Sequence, residues 1–212
     1  GGILIPSIGG HQPRKVFESP QAIVLDDFLP EDVYRKIQEY VLKADFEYLN
    51  TKGKVSRAWH VHDGFPMRSV KNAFYYAHDN TDKPEGGYVY PTQTHMDLFM
   101  DNLLAIQPHV EHLTGKEGGE GWNHVSANCW MYPPGTGLSM HDDGSGVYTG
   151  AYVYFLNPVW RSHWGGLLIM MDEAANQTVY EHRRQSNELD FYKLKYFHSS
   201  GLEEMLMEQG LG

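Results

Sequence analysis

The texture of the chain changes at Gly121, and that change limits the folds open to it. Before this point apolar residues recur at helical spacing. Val33, Tyr34, Ile37, Tyr40 and Val41 follow Pro30-Glu31-Asp32, a proline and two acids placed where a helix begins. A second helical stretch runs over 94–113, with Leu98, Phe99, Leu103, Ile106 and Val110 on one stripe and Pro108 placed to kink or divide it. After Gly121 the sequence breaks into short runs rich in aromatic and β-branched residues: His124–Met131, Gly150–Leu156 and Gly166–Met171. Pro133-Pro-Gly-Thr-Gly137 and Asp142-Asp-Gly-Ser-Gly146 supply the turns. Residues 52–90 are mixed, with an aromatic-rich piece at 72–76. Helices first and strands later predict an α+β domain, a β-sandwich or jelly roll buttressed by N-terminal helices.

A chain of 212 residues suffices for one sizeable core and is short for two, so one domain is expected over 21–212, behind a Gly- and Pro-rich arm at 1–20. The net charge of -10 argues against nucleic acid and against anionic membrane surfaces as partners. No apolar run approaches the roughly 20 residues of a membrane span, and residues 1–10 do not read as a signal peptide. Cys129 is the single cysteine, which suits a reducing compartment. The expectation is a cytoplasmic protein, monomer or homodimer.

The chemistry concentrates in Tyr132-Pro-Pro-Gly135-Thr-Gly-Leu-Ser-Met-His141-Asp-Asp143. Residues two apart on an extended strand point to one side, so His141 and Asp143 are predicted to present an imidazole and a carboxylate together. With a third histidine from elsewhere they would make a 2-His-1-carboxylate facial triad, which leaves open positions on Fe(II). Asp142 has the wrong parity for this role. A bland alternative exists: Asp-Asp-Gly also favours a surface turn.

Tyr132-x-x-Gly135-x-x-x-x-x-His141-x-Asp143, followed by Tyr154-Phe-Leu-Asn157 and Gly165-Gly166, resembles the core of the prolyl-4-hydroxylase-like Fe(II)/2-oxoglutarate oxygenases. The lead-in Ile23–Asp32 and its helix resemble that group's entry, and 133–172 is similar to the small bacterial members that hydroxylate or halogenate free amino acids. The resemblance covers 21–172. It implies a double-stranded β-helix using Fe(II), 2-oxoglutarate and O2. His141 and Asp143 would be iron ligands, and Tyr132 would hydrogen-bond the 2-oxoglutarate carboxylate. Asn128 and Trp130 share the strand parity of Tyr132 and would face the same interior, with Asn128 a further cosubstrate contact. Where many members carry a second tyrosine, this chain has Leu138. Halogenases of the group replace the acid by Gly or Ala; the presence of Asp143 therefore implies hydroxylation. The first alternative is a radical halogenase, and the second a non-catalytic jelly-roll binding module.

The resemblance also calls for a distal histidine and, after it, an Arg or Lys for the far carboxylate of 2-oxoglutarate. No basic residue follows Lys195. Two explanations stand: His198 is the third ligand on an atypical strand, or the last strands lie beyond Gly212. The second is the expectation. Among the other candidates, His60-Val-His62 and His109-x-x-His112 read as ordinary strand, loop or helix-surface residues. Arg68 reads as a surface cation or as an anchor for a substrate carboxylate. Trp160 and Trp164 are expected to pack the turn before Gly165, and Cys129 to fill core.

Overall fold

The computed structural model describes residues 2–48, 65–77, 87–118, 121–137, 148–168 and 170. They form a mixed α+β structure of small, mainly antiparallel sheets and few helices, with no closed barrel among them. The chain divides into two compact units, one of residues 1–47, 67–131 and 142–158, the other of 48–66, 132–141 and 159–212. Each is considered by itself.

In the first unit the residues expected as a surface arm do more than that. β1 (Arg14–Glu18) pairs antiparallel with β2 (Ile23–Asp26), and Ile5 is buried in the core. The Lys15 ammonium and the Glu18 carboxylate hold the backbone of Ile3 from both sides, fixing the start of the chain against this hairpin. Helix α1 (Glu31–Leu42) begins after Pro30, whose carbonyl accepts the Tyr34 N–H at 2.9 Å. Its first-turn acids and its stripe stand where the periodicity placed them. Ile37 is 2% exposed, and Val33, Tyr34, Tyr40 and Val41 pack around the core. Outward, Glu31–Arg35 and Glu39–Lys43 form exposed i,i+4 pairs, the spacing at which helix side chains meet.

Helix α2 (Met96–Ile106) buries Met96, Phe99, Met100, Leu103 and Ile106. The Asp97 carboxylate accepts the N–H groups of Thr92 and Gln93, both at 2.8 Å, holding the turn that leads into it. Pro108 divides the predicted helix. A 3-10 turn (Gln107–His109) and a short α3 (Glu111–Thr114) follow, and Val110 stays in the core.

These helices pack on one side of a ladder that shares a single stretch of chain with a second. β5 (Ala73–Tyr76) pairs in parallel with β6 (Tyr88–Val89) and antiparallel with β7 (His124–Ala127). β4 (Met67–Ser69) lies between β3 (Phe46–Tyr48) and β8 (Trp130–Met131), antiparallel to the latter. The predicted strand 124–131 thus exists as β7 and β8, changing partner at Asn128-Cys129. The Ser69 N–H to Cys129 carbonyl bond (2.8 Å) bridges the change.

The predicted strand Gly150–Leu156 carries no ladder among the described residues. Its side chains alternate nonetheless. Tyr154 and Leu156 pack on the core, while Val153 and Phe155 are exposed. Tyr154 meets Phe28 and Phe99 edge-on or tilted, and the Leu156 carbonyl accepts from the Tyr34 hydroxyl (3.0 Å) and the Gln38 amide (3.1 Å). Gly150 lies against Thr114, where a Cβ would come within 2.7 Å of its methyl; the close approach needs glycine.

In the second unit the predicted turn after Tyr132 is present. The Thr136 N–H reaches the Pro133 carbonyl at 3.1 Å, with Gly135 at φ +80°, left-handed backbone that favours glycine. Trp160 donates its indole N–H to the Gly165 carbonyl at 2.8 Å, and Arg161 lies over the Trp164 ring, so both tryptophans engage the turn as expected. Gly165 and Gly166 have φ near +70°, and the described residues after them form no strand ladder. No helix among the described residues is long and apolar enough to cross a membrane.

Candidate functional site

Sheet parity sorts the residues of the first unit onto two faces. Ala73 is opposite Ala127 and Tyr75 opposite Val125. These four, with Cys129, belong to the helix-packed core. The alternate residues point the other way: Phe74 opposite Ser126, Tyr76 opposite His124, and Arg68 opposite Trp130. Asn128 lies between Ser126 and Trp130 with the same parity. The face turned away from the helices therefore carries Tyr76, His124, Phe74, Ser126, Asn128, Trp130 and Arg68.

That face is aromatic and polar. Phe74 stacks on Tyr76 with ring centroids 6.4 Å apart, and Tyr76 meets His124 at 5.8 Å. Burial pushes the Tyr76 hydroxyl above its ordinary pKa, so it stays a neutral donor at physiological pH. At the other end the Arg68 guanidinium stands over the Trp130 ring, 5.8 Å from its centroid.

Two polar atoms here are buried without a hydrogen-bond partner: Nε of Arg68 and Oδ1 of Asn128. They are the two such side-chain atoms among the described residues. A buried donor or acceptor left unmade costs about 1–3 kcal/mol, and native proteins rarely keep one without a use for it. Here an orphan donor and an orphan acceptor stand on one face of adjoining strands. The sequence singled out Asn128 for sharing the parity of Trp130, and by that parity the two lie on one face. Arg68, left open between surface and anchor, is half-buried with its Nε fully shielded.

No family model, characterised protein or solved structure matches the chain. Function must be argued from the site itself.

The remaining predicted residues distribute as follows. Tyr132 belongs to the second unit and is 46% exposed. His141, Asp143, Asp142 and Leu138 lie outside the described residues, as do His60, His62, His198 and the chain after Met170. Among the described residues no three His, Cys, Asp or Glu side chains gather as a metal site. His109 and His112 are exposed on the helical segment, as expected. Cys129 faces the core, where burial pushes its thiol above the ordinary range. That is the setting of an inert filler rather than a nucleophile.

Proposed function

We propose that this protein is an Fe(II)- and 2-oxoglutarate-dependent oxygenase that hydroxylates an unactivated C–H bond of a small molecule, a free amino acid. We propose with it a double-stranded β-helix, in which Gly150–Leu156 is a strand apolar on both sides. The observation that carries the reading is the sheet face just described. Helices buttress one side, as the resemblance implies, and the opposite side presents unsatisfied polar atoms at the position singled out for ligand contact. Its aromatic surround matches what a small-molecule site requires, apolar walls with few placed polar groups.

The donor chemistry suits the metal. An imidazole and a carboxylate, His141 and Asp143, are ligands that ferrous iron accepts, and Asp143 occupies the position that separates hydroxylation from halide transfer. Bound there with 2-oxoglutarate, iron supplies the oxidising power: R–H, O2 and 2-oxoglutarate become R–OH, succinate and CO2. The chain does the rest. The Tyr132 hydroxyl is the donor offered to the 2-oxoglutarate carboxylate. Phe74, Tyr76 and Trp130 would line the face with apolar surface, and the orphan polar atoms would hold the substrate so that one C–H is presented each time.

The test is succinate release by the protein loaded with Fe(II) anaerobically and then given O2, across a panel of free amino acids. Stoichiometric succinate and a product 16 mass units heavier are expected, and His141→Ala abolishes both. No succinate with any amino acid would favour the non-catalytic binding module. For Asp143→Gly in chloride buffer, we expect loss of hydroxylation by about 10²-fold or more. A chlorinated product from the unaltered protein would overturn the hydroxylase assignment.

A further inference from the structure

We infer that Arg68 and Asn128 form a dipolar receptor for the α-carboxylate and α-ammonium of the substrate, so that Asn128 serves the substrate and not the cosubstrate. The inference rests on the reading above for the existence of a substrate site, but its chemistry comes from the two orphan atoms. Nε of Arg68 is a donor and Oδ1 of Asn128 an acceptor, and both are buried and unmatched. An ionised 2-oxoglutarate offers acceptors only, so it would satisfy the arginine and leave the Asn128 oxygen bare. A free amino acid carries one group of each kind on a single carbon. It would satisfy both.

The spacing agrees. Arg68 is opposite Trp130, and Asn128 is two residues from Trp130 on the same face, which makes it the diagonal neighbour of Arg68. Diagonal neighbours across an antiparallel pair stand about 7–8 Å apart. Side chains on diagonal positions can reach one small ligand together. The guanidinium carbon stands 5.8 Å from the Trp130 ring centroid, an aromatic neighbour that favours the cation, and a carboxylate at Nε would make a charge-assisted hydrogen bond. Specificity follows for the backbone of the ligand rather than its side chain. An acid lacking the amine leaves Oδ1 unmade, and an amine lacking the acid leaves Nε unmade. Each omission should weaken binding by about tenfold or more.

The experiment measures binding by calorimetry on the full chain. Each proteinogenic L-amino acid is titrated, and then the des-amino acid and the decarboxylated amine of the tightest binder. 2-Oxoglutarate is titrated separately. The expected result is an amino acid that binds at least about tenfold more tightly than either analogue. Asn128→Leu should remove that preference over the des-amino acid while the Kd for 2-oxoglutarate changes less than about twofold, which also certifies the variant as folded. Asn128→Asp, which keeps acceptors and removes the amide donor, should retain amino-acid binding; Arg68→Gln should weaken the amino acid and its des-amino analogue alike. Loss of 2-oxoglutarate binding in Asn128→Leu with the amino acid unaffected would overturn the inference, as would equal binding of amino acid and des-amino acid, or no binding by any amino acid. Intact selectivity without succinate formation would instead remove the oxygenase reading and leave the receptor standing.

Discussion

Tyr154 illustrates how single side chains in this protein are set by their surroundings. Its ring lies among Phe28 and Phe99, and burial pushes its hydroxyl up to about 12. Tyr90, held chiefly by its hydrogen bond to Asp101, is also pushed up to about 12, and desolvation displaces Tyr152 in the same direction. The folded state therefore holds these protons more tightly than the unfolded chain, whose tyrosines ionise near 10. Their stabilisation is complete below about pH 10 and is lost as pH rises from there through about 12. Urea melts between pH 9 and 12 should show falling stability across that window, and Tyr154→Phe should flatten the fall. A profile unchanged by that substitution would assign the loss to other groups. Asn128 and Arg68 belong to the same scale. The sequence placed Asn128 by parity alone, and nothing in it could reveal that the Arg68 nitrogen is shielded, because shielding depends on β4 lying beside a strand far away in the chain.

Elements separate by how local their causes are. The start and the buried stripe of helix α1 were legible because proline, acids and stripe all lie in or beside its own residues. The division of the second helix followed from Pro108 alone. β3, β4, β5 and β6 were not legible: two to four residues are too few to display a period of two, and their pairing is with residues distant in sequence. The strand 124–131 was visible, but not its exchange of partners at Asn128-Cys129, which again needs β4 and β5 in place. Packing of the legible helices gives a direct expectation. Met100, 1% exposed at the heart of α2, should lose about 2–5 kcal/mol on replacement by Ala, measured by chemical denaturation. The Tyr34 hydroxyl ties α1 to the Leu156 carbonyl, with Gln38 sharing that acceptor. Tyr34→Phe should therefore cost only about 0.5–1.5 kcal/mol. The double change Tyr34→Phe/Gln38→Ala should cost more than the sum of the two, because the carbonyl then has neither donor.

At the scale of the molecule, charge argued against nucleic acid and anionic membrane surfaces as partners, and nothing among the described residues supplies a membrane-spanning helix. The α+β class was readable from the change at Gly121; the jelly roll, which depends on strands meeting across the whole chain, is a proposal. Val153 and Phe155 provide its check, since a strand apolar on both sides implies a second layer over them. Phe155→Asp should lower stability by about 2 kcal/mol or more if that layer forms, against about 0.5 kcal/mol for a surface position. Thermal melts of the two single variants, Val153→Lys and Phe155→Asp, distinguish the cases.

The stretch from His124 to Met131 serves first one ladder and then another, with two residues between its last paired position with β5 and its first with β4. That interval acts as a ruler. Shortening or lengthening it by one residue would swing Trp130 toward the helices and bring an apolar neighbour out in its place. The identities of these positions are free to drift with the ligand, but their number is fixed by geometry.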